Sequence, residues 1–128
     1  MIRRVVGIHF SPIGGTATMT DELTELIAAI LRKNSALDII SETYELIGMG
    51  SECVELDDET IAVIGMPVYV GKIPLPAVRL LENFRANGAV AVTAVSFGAR
   101  TYGNALYELH YFLFFLQKIL GSLFSLKQ

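Results

Sequence analysis

Four short runs rich in Val, Ile or Ala, each separated from the next by a dozen residues or more, constrain this chain more than any other feature. Val5-Val6-Gly7-Ile8-His9-Phe10 comes first, followed by Leu37 to Tyr44, Thr60 to Met66 and Ala89 to Phe97. A nearly continuous apolar run is what a central parallel strand shows, because both of its faces are buried. Parallel neighbours cannot be joined by a tight turn and need a crossover of about a dozen residues or more. The spacing supplies one each time, and the alternation points to an α/β fold.

The crossovers differ in kind. From Ala17 to Lys33 the apolar positions Met19, Leu23, Leu26, Ile27, Ile30 and Leu31 recur at steps of three and four, with Asp21, Glu22 and Glu25 early and Arg32 and Lys33 late. This predicts an amphipathic helix whose charges suit its dipole. Leu75 to Ala86 carries Val78, Leu81 and Phe84 at helical spacing. Leu46 to Glu59 holds two glycines and an acidic run, reads as an irregular connection, and barely supplies the length of a crossover.

At 128 residues the chain is the size of one domain, and folding should bury roughly two-thirds of the surface that the unfolded chain exposes. It is 52% hydrophobic and 18% charged, which argues against disorder and for strands buried on both faces or an apolar surface that meets a partner. The net charge of −3 and ten scattered basic residues give no footprint for nucleic acid. The single Cys53 excludes an intramolecular disulfide framework and a cluster held by several thiolates, so a cytoplasmic setting is expected. No stretch reaches the roughly eighteen apolar residues of a membrane span, and Arg3-Arg4 with the short run after it reads as a strand, not a signal peptide.

The chemistry concentrates in Ser11-Pro12-Ile13-Gly14-Gly15-Thr16-Ala17, a hydroxyl- and glycine-rich turn between a strand and a helix. Two readings stand. Glycines let backbone approach an anion, free N–H groups at a helix start point toward it, and Ser11 and Thr16 add hydroxyls. Alternatively the segment is an ordinary turn in which Thr16 caps the helix. Rival nucleotide motifs fail on spacing. There is no Gly-x-Gly-x-x-Gly after the first strand, and Gly65 to Gly71-Lys72 has one intervening residue too many for a Walker loop, with Ile73 where Ser or Thr must bind magnesium. His9 and His110 lack partners at metal-ligand spacing and read as structural. No Gly-x-Ser-x-Gly elbow is present, and the first strand ends His9-Phe10 where a response-regulator receiver needs acidic residues.

Phe10-Ser11-Pro12-Ile13-Gly14-Gly15-Thr16 resembles the phosphate loop of flavodoxins, commonly Ser/Thr-x-Thr-Gly-x-Thr, with Ile13 in place of a Thr. Gly65-Met66-Pro67-Val68-Tyr69-Val70-Gly71-Lys72-Ile73-Pro74 is similar to the Gly-x-Pro-Val-Tyr-x-Gly-Arg/Lys-x-Pro segment of flavodoxin domains fused to ferredoxins. Ser96-Phe97-Gly98-Ala99-Arg100-Thr101-Tyr102-Gly103-Asn104-Ala105-Leu106 resembles the Tyr-Gly-Asn-Arg-x-Tyr-x-x-Ala-Leu of that subfamily. The likeness covers Arg4 to Leu109. It implies a doubly wound, open parallel sheet of order 2-1-3-4, flavodoxin-like, with the fifth strand short or missing, in a single domain over 1–128 whose 110–128 part is atypical.

The same resemblance implies FMN as cofactor. Its phosphate would lie on Ser11 and on Gly14, Gly15, Thr16 and Ala17, with Ile13 also in the cofactor site but lacking the hydroxyl of the usual Thr. Its ring would lie between the loop Pro67, Val68, Tyr69, Val70, Gly71 and the loop Phe97, Gly98, Ala99, Arg100, Tyr102, Gly103. The residues agree in type: Tyr69 and Tyr102 offer faces to stack on a flat ring, and Gly71 and Gly98 leave amides accessible, although either tyrosine can instead be a buried loop anchor. Lys72 and Arg100 would favour the anionic reduced ring and a less negative potential, or are solvated loop charges.

The implied function is electron transfer, with electrons exchanged with a separate redox partner, a ferredoxin or a reductase. An NAD(P)H-dependent flavin or quinone reductase and a cofactor-free interaction module of the same fold are the alternatives. The likeness ends at His110-Tyr111-Phe112-Leu113-Phe114-Phe115-Leu116, apolar on every helical face. A helix of that kind is buried, sits at an interface or meets lipid, and a homodimer formed through it is the expectation; a tail altered by a reading-frame change is the rival view.

Overall fold

The computed structural model describes residues 1–35, 38–69 and 72–97, with the side chain of Phe97 excepted. The elements run β1 (Arg4–His9), α1 (Gly15–Lys33), β2 (Ile40–Glu45), β3 (Val54–Glu55), β4 (Thr60–Val68), α2 (Leu75–Leu81), β5 (Phe84–Arg85) and β6 (Val90–Phe97). The four long strands form one parallel sheet in the order β2-β1-β4-β6, and β3 pairs with β5, also in parallel, in a separate two-stranded sheet. Taken in chain order the long strands therefore lie 2-1-3-4. The α/β architecture that the apolar runs predict is present. The apolar tail and any fifth strand lie outside the described residues.

The sheet is covered on both faces. Val5, Val63 and Ile39 pack with Ala28 of α1 on one face. Val6, Ile8, Ala62, Ile64 and Met66 point the other way, toward Ala77 and Leu81 of α2 and toward Phe84 of β5. Alternation along β1 and β4 produces this split, since successive side chains leave opposite faces of a strand. Phe84 is fully buried and stands edge-on to Tyr44, with ring centroids 5.4 Å apart and planes at 81°.

Two expectations are corrected. The periodicity over Leu75 to Ala86 predicts a helix to Ala86, but α2 ends at Leu81, and Phe84 and Arg85 leave it to pair with Val54 and Glu55. The asparagine and glycine that follow adopt positive φ, 50° at Asn87 and 88° at Gly88, and turn the chain into β6. The second correction concerns α1, whose buried stripe is Thr16, Thr20, Thr24 and Ala28. Leu23, Ile27 and Leu31 flank that stripe, while Leu26 and Ile30, expected on the buried face, are 57% and 52% exposed.

Close approach explains the choice of threonines. A Cβ added at Gly7 would stand 2.6 Å from Thr24 Oγ1, and one added at Gly65 would collide with Thr20 Oγ1. The helix thus lies against bare backbone on β1 and β4. The buried hydroxyls are not stranded: Thr20 donates to the Thr16 carbonyl at 2.7 Å and Thr24 to the Thr20 carbonyl at 2.7 Å.

The connection from β3 to β4 is fixed by Asp57. Its carboxylate accepts from the Thr60 hydroxyl at 2.8 Å and the Glu59 amide at 3.0 Å. The Thr60 bond, helped by the Glu59 amide and the Arg4 charge, holds the carboxyl below its ordinary pKa against the opposing effect of burial. Among the described residues no helix is long and apolar enough to cross a membrane. His110 to Leu116, the segment on which the dimer expectation rests, lies outside them.

Candidate functional site

The chain leaves β1 for β2 on one side and reaches β4 on the other, so the carboxyl ends of β1 and β4 form the point at which the strand order reverses. Open α/β sheets bind ligands at such points. Here a cleft of about 290 Å³ lies there, lined by Ile13, Gly15 and Thr16 after β1, by Pro67, Val68 and Tyr69 at the end of β4, and by Ser96 of β6. That volume is at the lower end of the range for small-molecule clefts. Residues from all three segments singled out in the sequence thus share one cleft, the third represented by Ser96.

The turn after β1 is shaped by its serine. Gly14 adopts φ 99° at the position just before α1, a conformation that glycine takes without a Cβ penalty. Ser11 Oγ accepts the Gly14 amide at 3.1 Å and the Ala17 amide at 2.9 Å. Thr16 is not the cap. It is buried inside the first turn of α1, and its Oγ1 is 2.7 Å from Ser96 Oγ, which ties the helix start to the end of β6.

A helix start leaves its first amides without intrahelical acceptors. Among the described residues the amides of Gly15 and Thr16 find no other partner. A Cβ added at Gly14 or at Gly15 would meet nothing within 4 Å, so both glycines border open space. A hydroxyl oxygen has two lone pairs and one proton. With both lone pairs of Ser11 Oγ taken by amides, its proton is the part left to donate, which suits an anion and not a cation.

The second wall is held by a pair of backbone hydrogen bonds. The Tyr69 amide donates to the Lys72 carbonyl at 2.8 Å and the Lys72 amide returns to the Tyr69 carbonyl at 2.9 Å. Tyr69 is thereby fixed at the mouth of the cleft with 44% of its surface exposed, alongside Ile13 at 87%. The wall they make with Pro67 and Val68 is apolar. Val70, Gly71, Gly98, Ala99, Arg100, Tyr102 and Gly103 lie outside the described residues, as does the side chain of Phe97.

The donor set fits the phosphate end of a flavin mononucleotide: two free amides, a Ser11 hydroxyl that can only donate, and a glycine pair with space in front of it. The apolar wall with an exposed tyrosine fits a flat ring. No lysine or arginine lines the described cleft, so the donors it offers there are neutral dipoles. Such dipoles suffice at helix starts.

Sequence reasoning passed over four contributors. For Ser96 the signal is a hydroxyl at the carboxyl end of an apolar strand. His9, Asp21 and Glu45 come together under the turn. His9 Nε2 is 3.4 Å from Asp21 Oδ1 and His9 Nδ1 is 3.4 Å from Glu45 Oε1. They are 12 to 36 positions apart in the sequence, so no local spacing could have grouped them. Among the described residues no cluster of His, Cys, Asp and Glu is suited to a metal.

Neither a protein-family model nor a curated protein matches the chain.

Proposed function

We propose that this chain is a flavodoxin-like electron-transfer protein that holds FMN in the cleft at the carboxyl ends of β1, β4 and β6. The observation that carries the reading is the turn from Ser11 to Thr16, where unpaired amides, a hydroxyl left to donate and open space beside two glycines occur together. FMN would supply reversible electron transfer. The protein's part is physical. Gly15, Thr16 and Ser11 hold the phosphate, Tyr69 with Pro67, Val68 and Ile13 excludes water from one side of the ring, and the parallel sheet keeps these groups in register. Electrons are exchanged with a separate ferredoxin or reductase.

The second reading is a cofactor-free interaction module. It is favoured by one observation: Ser11 Oγ already accepts the amides of Gly14 and Ala17, a structural role at the helix start that needs no ligand. A titration with FMN, following flavin fluorescence and the visible spectrum, separates the two. The native chain should quench flavin fluorescence saturably, and Ser11→Ala with Thr16→Ala should weaken binding by about tenfold or more, the loss of one or two hydrogen bonds to a charged group. No binding at high micromolar FMN leaves the scaffold reading.

A further inference from the structure

His9 is buried, 6% exposed, at the last position of β1, two residues before the turn that forms the candidate site. Its side chain lies on the α1 face of the sheet. From α1 it meets Asp21, and from β2 it meets Glu45; its partner in register on β4 is Gly65, which brings no charge. Both ring nitrogens therefore face carboxylate oxygens. Neither contact has hydrogen-bond geometry, and His9 Nδ1 and Asp21 Oδ1 are buried with no partner. A neutral imidazole has one N–H donor and one lone pair, and a carboxylate can only accept. Only the ring carrying both protons offers a donor to each carboxylate.

Glu45 does more than face His9. Its Oε2 accepts the Ser11 amide at 3.2 Å and the Ile47 amide at 3.2 Å, so the same carboxylate that meets the imidazole through Oε1 fixes the residue that shapes the turn. The Leu46 amide donates to the His9 carbonyl at 2.8 Å and binds the two strand ends directly. A continuous path results: His9, the Glu45 carboxylate, the Ser11 amide, then the Ser11 hydroxyl and the amides of Gly14 and Ala17.

We propose that His9 regulates the anion site through Glu45, with the doubly protonated ring holding Glu45 on the Ser11 amide and the neutral ring releasing it. The inference rests on the reading of the turn as a phosphate site and names its regulation. Two effects share one sign. Protonation removes a lone-pair contact from the carboxylates that brace the turn, and it lowers by one the net negative charge beneath it. Anion affinity is therefore higher at the acid end of the pH 5 to 8 range in which histidines change charge, by about threefold for one unit of charge added near the site.

The test begins on the free, isotope-labelled protein. Across pH 5 to 8 the amide signals of Ser11, Ile47, Gly14 and Ala17 should move with the midpoint of the His9 ring signals. That midpoint should vanish from the amides in His9→Gln. It should also vanish from Ser11 in Glu45→Gln while the ring still titrates. Amides that stay flat while His9 titrates, or that keep the same midpoint in His9→Gln, overturn the coupling; the wild-type arm decides even if a variant does not fold.

The second arm measures the FMN dissociation constant at pH 5.5 and pH 8 in wild type and His9→Gln. The second ionisation of the phosphate acts on both proteins and cancels in their ratio. Wild type should lose about threefold more affinity over this range than the variant, and equal losses overturn regulation of binding. Absence of FMN binding removes the flavin reading and leaves the amide result standing, so the two failures are distinguishable.

Discussion

At the residue scale the glycines of the sheet are the most exacting positions. Gly7 and Gly65 carry no side chain because Thr24 and Thr20 occupy the space where a Cβ would stand. Gly65→Ala should destabilise the fold by about 1–3 kcal/mol, the usual cost of forcing extra atoms into a packed interior. Equilibrium denaturation in urea measures it, and Thr20→Ala in the Gly65→Ala background should recover part of the loss, because the clash is with the threonine side chain. Without that recovery the cost would belong to the strand backbone instead. Ser11 shows the opposite logic, since it is half-buried and the two amides its hydroxyl accepts, not its volume, matter.

At the scale of the element, α1 shows how tertiary contact selects among faces that periodicity leaves equivalent. Its leucines and isoleucines cover a broad arc, and any part of that arc satisfies a helical pattern. The sheet offers glycines at the point of contact, so small residues face inward and Leu26 and Ile30 are left outside. Ala28→Leu should therefore cost about 1–3 kcal/mol by overpacking a fully buried position. Leu26→Gln and Ile30→Gln should each stay within about 0.5 kcal/mol, the usual range for surface substitutions. Thermal or chemical denaturation of the three variants checks the ordering. α2 teaches a related point: Phe84 continues its periodicity, yet pairing of β5 with β3 ends the helix first.

At the scale of the whole molecule, Phe84 joins parts that are far apart in the chain. It brings β5 against β4 and α2 and meets Tyr44 of β2 at its edge. Phe84→Ala should cost about 3–5 kcal/mol, the range for removing a buried aromatic ring, and the midpoint of urea unfolding at unchanged slope measures it. The cleft belongs to this scale as well. It exists because β1, β4 and β6 end together, and the Thr16 to Ser96 hydrogen bond joins groups eighty positions apart.

How much of this was legible follows from the range of each interaction. The apolar runs and their spacing determined the α/β class, since a strand buried on both faces must be apolar along its length and a parallel crossover must be long. The glycine-rich turn marked one wall of the cleft, because a tight turn before a helix writes its requirement into adjacent residues. Pro67 to Tyr69 was legible only through resemblance. Tertiary structure alone decided which face of α1 is buried, where α2 stops, that Ser11 and not Thr16 caps the helix start, and that His9, Asp21 and Glu45 meet. Those outcomes depend on the approach of separate elements to within hydrogen-bond or contact distance, a quantity that no local pattern of residues encodes.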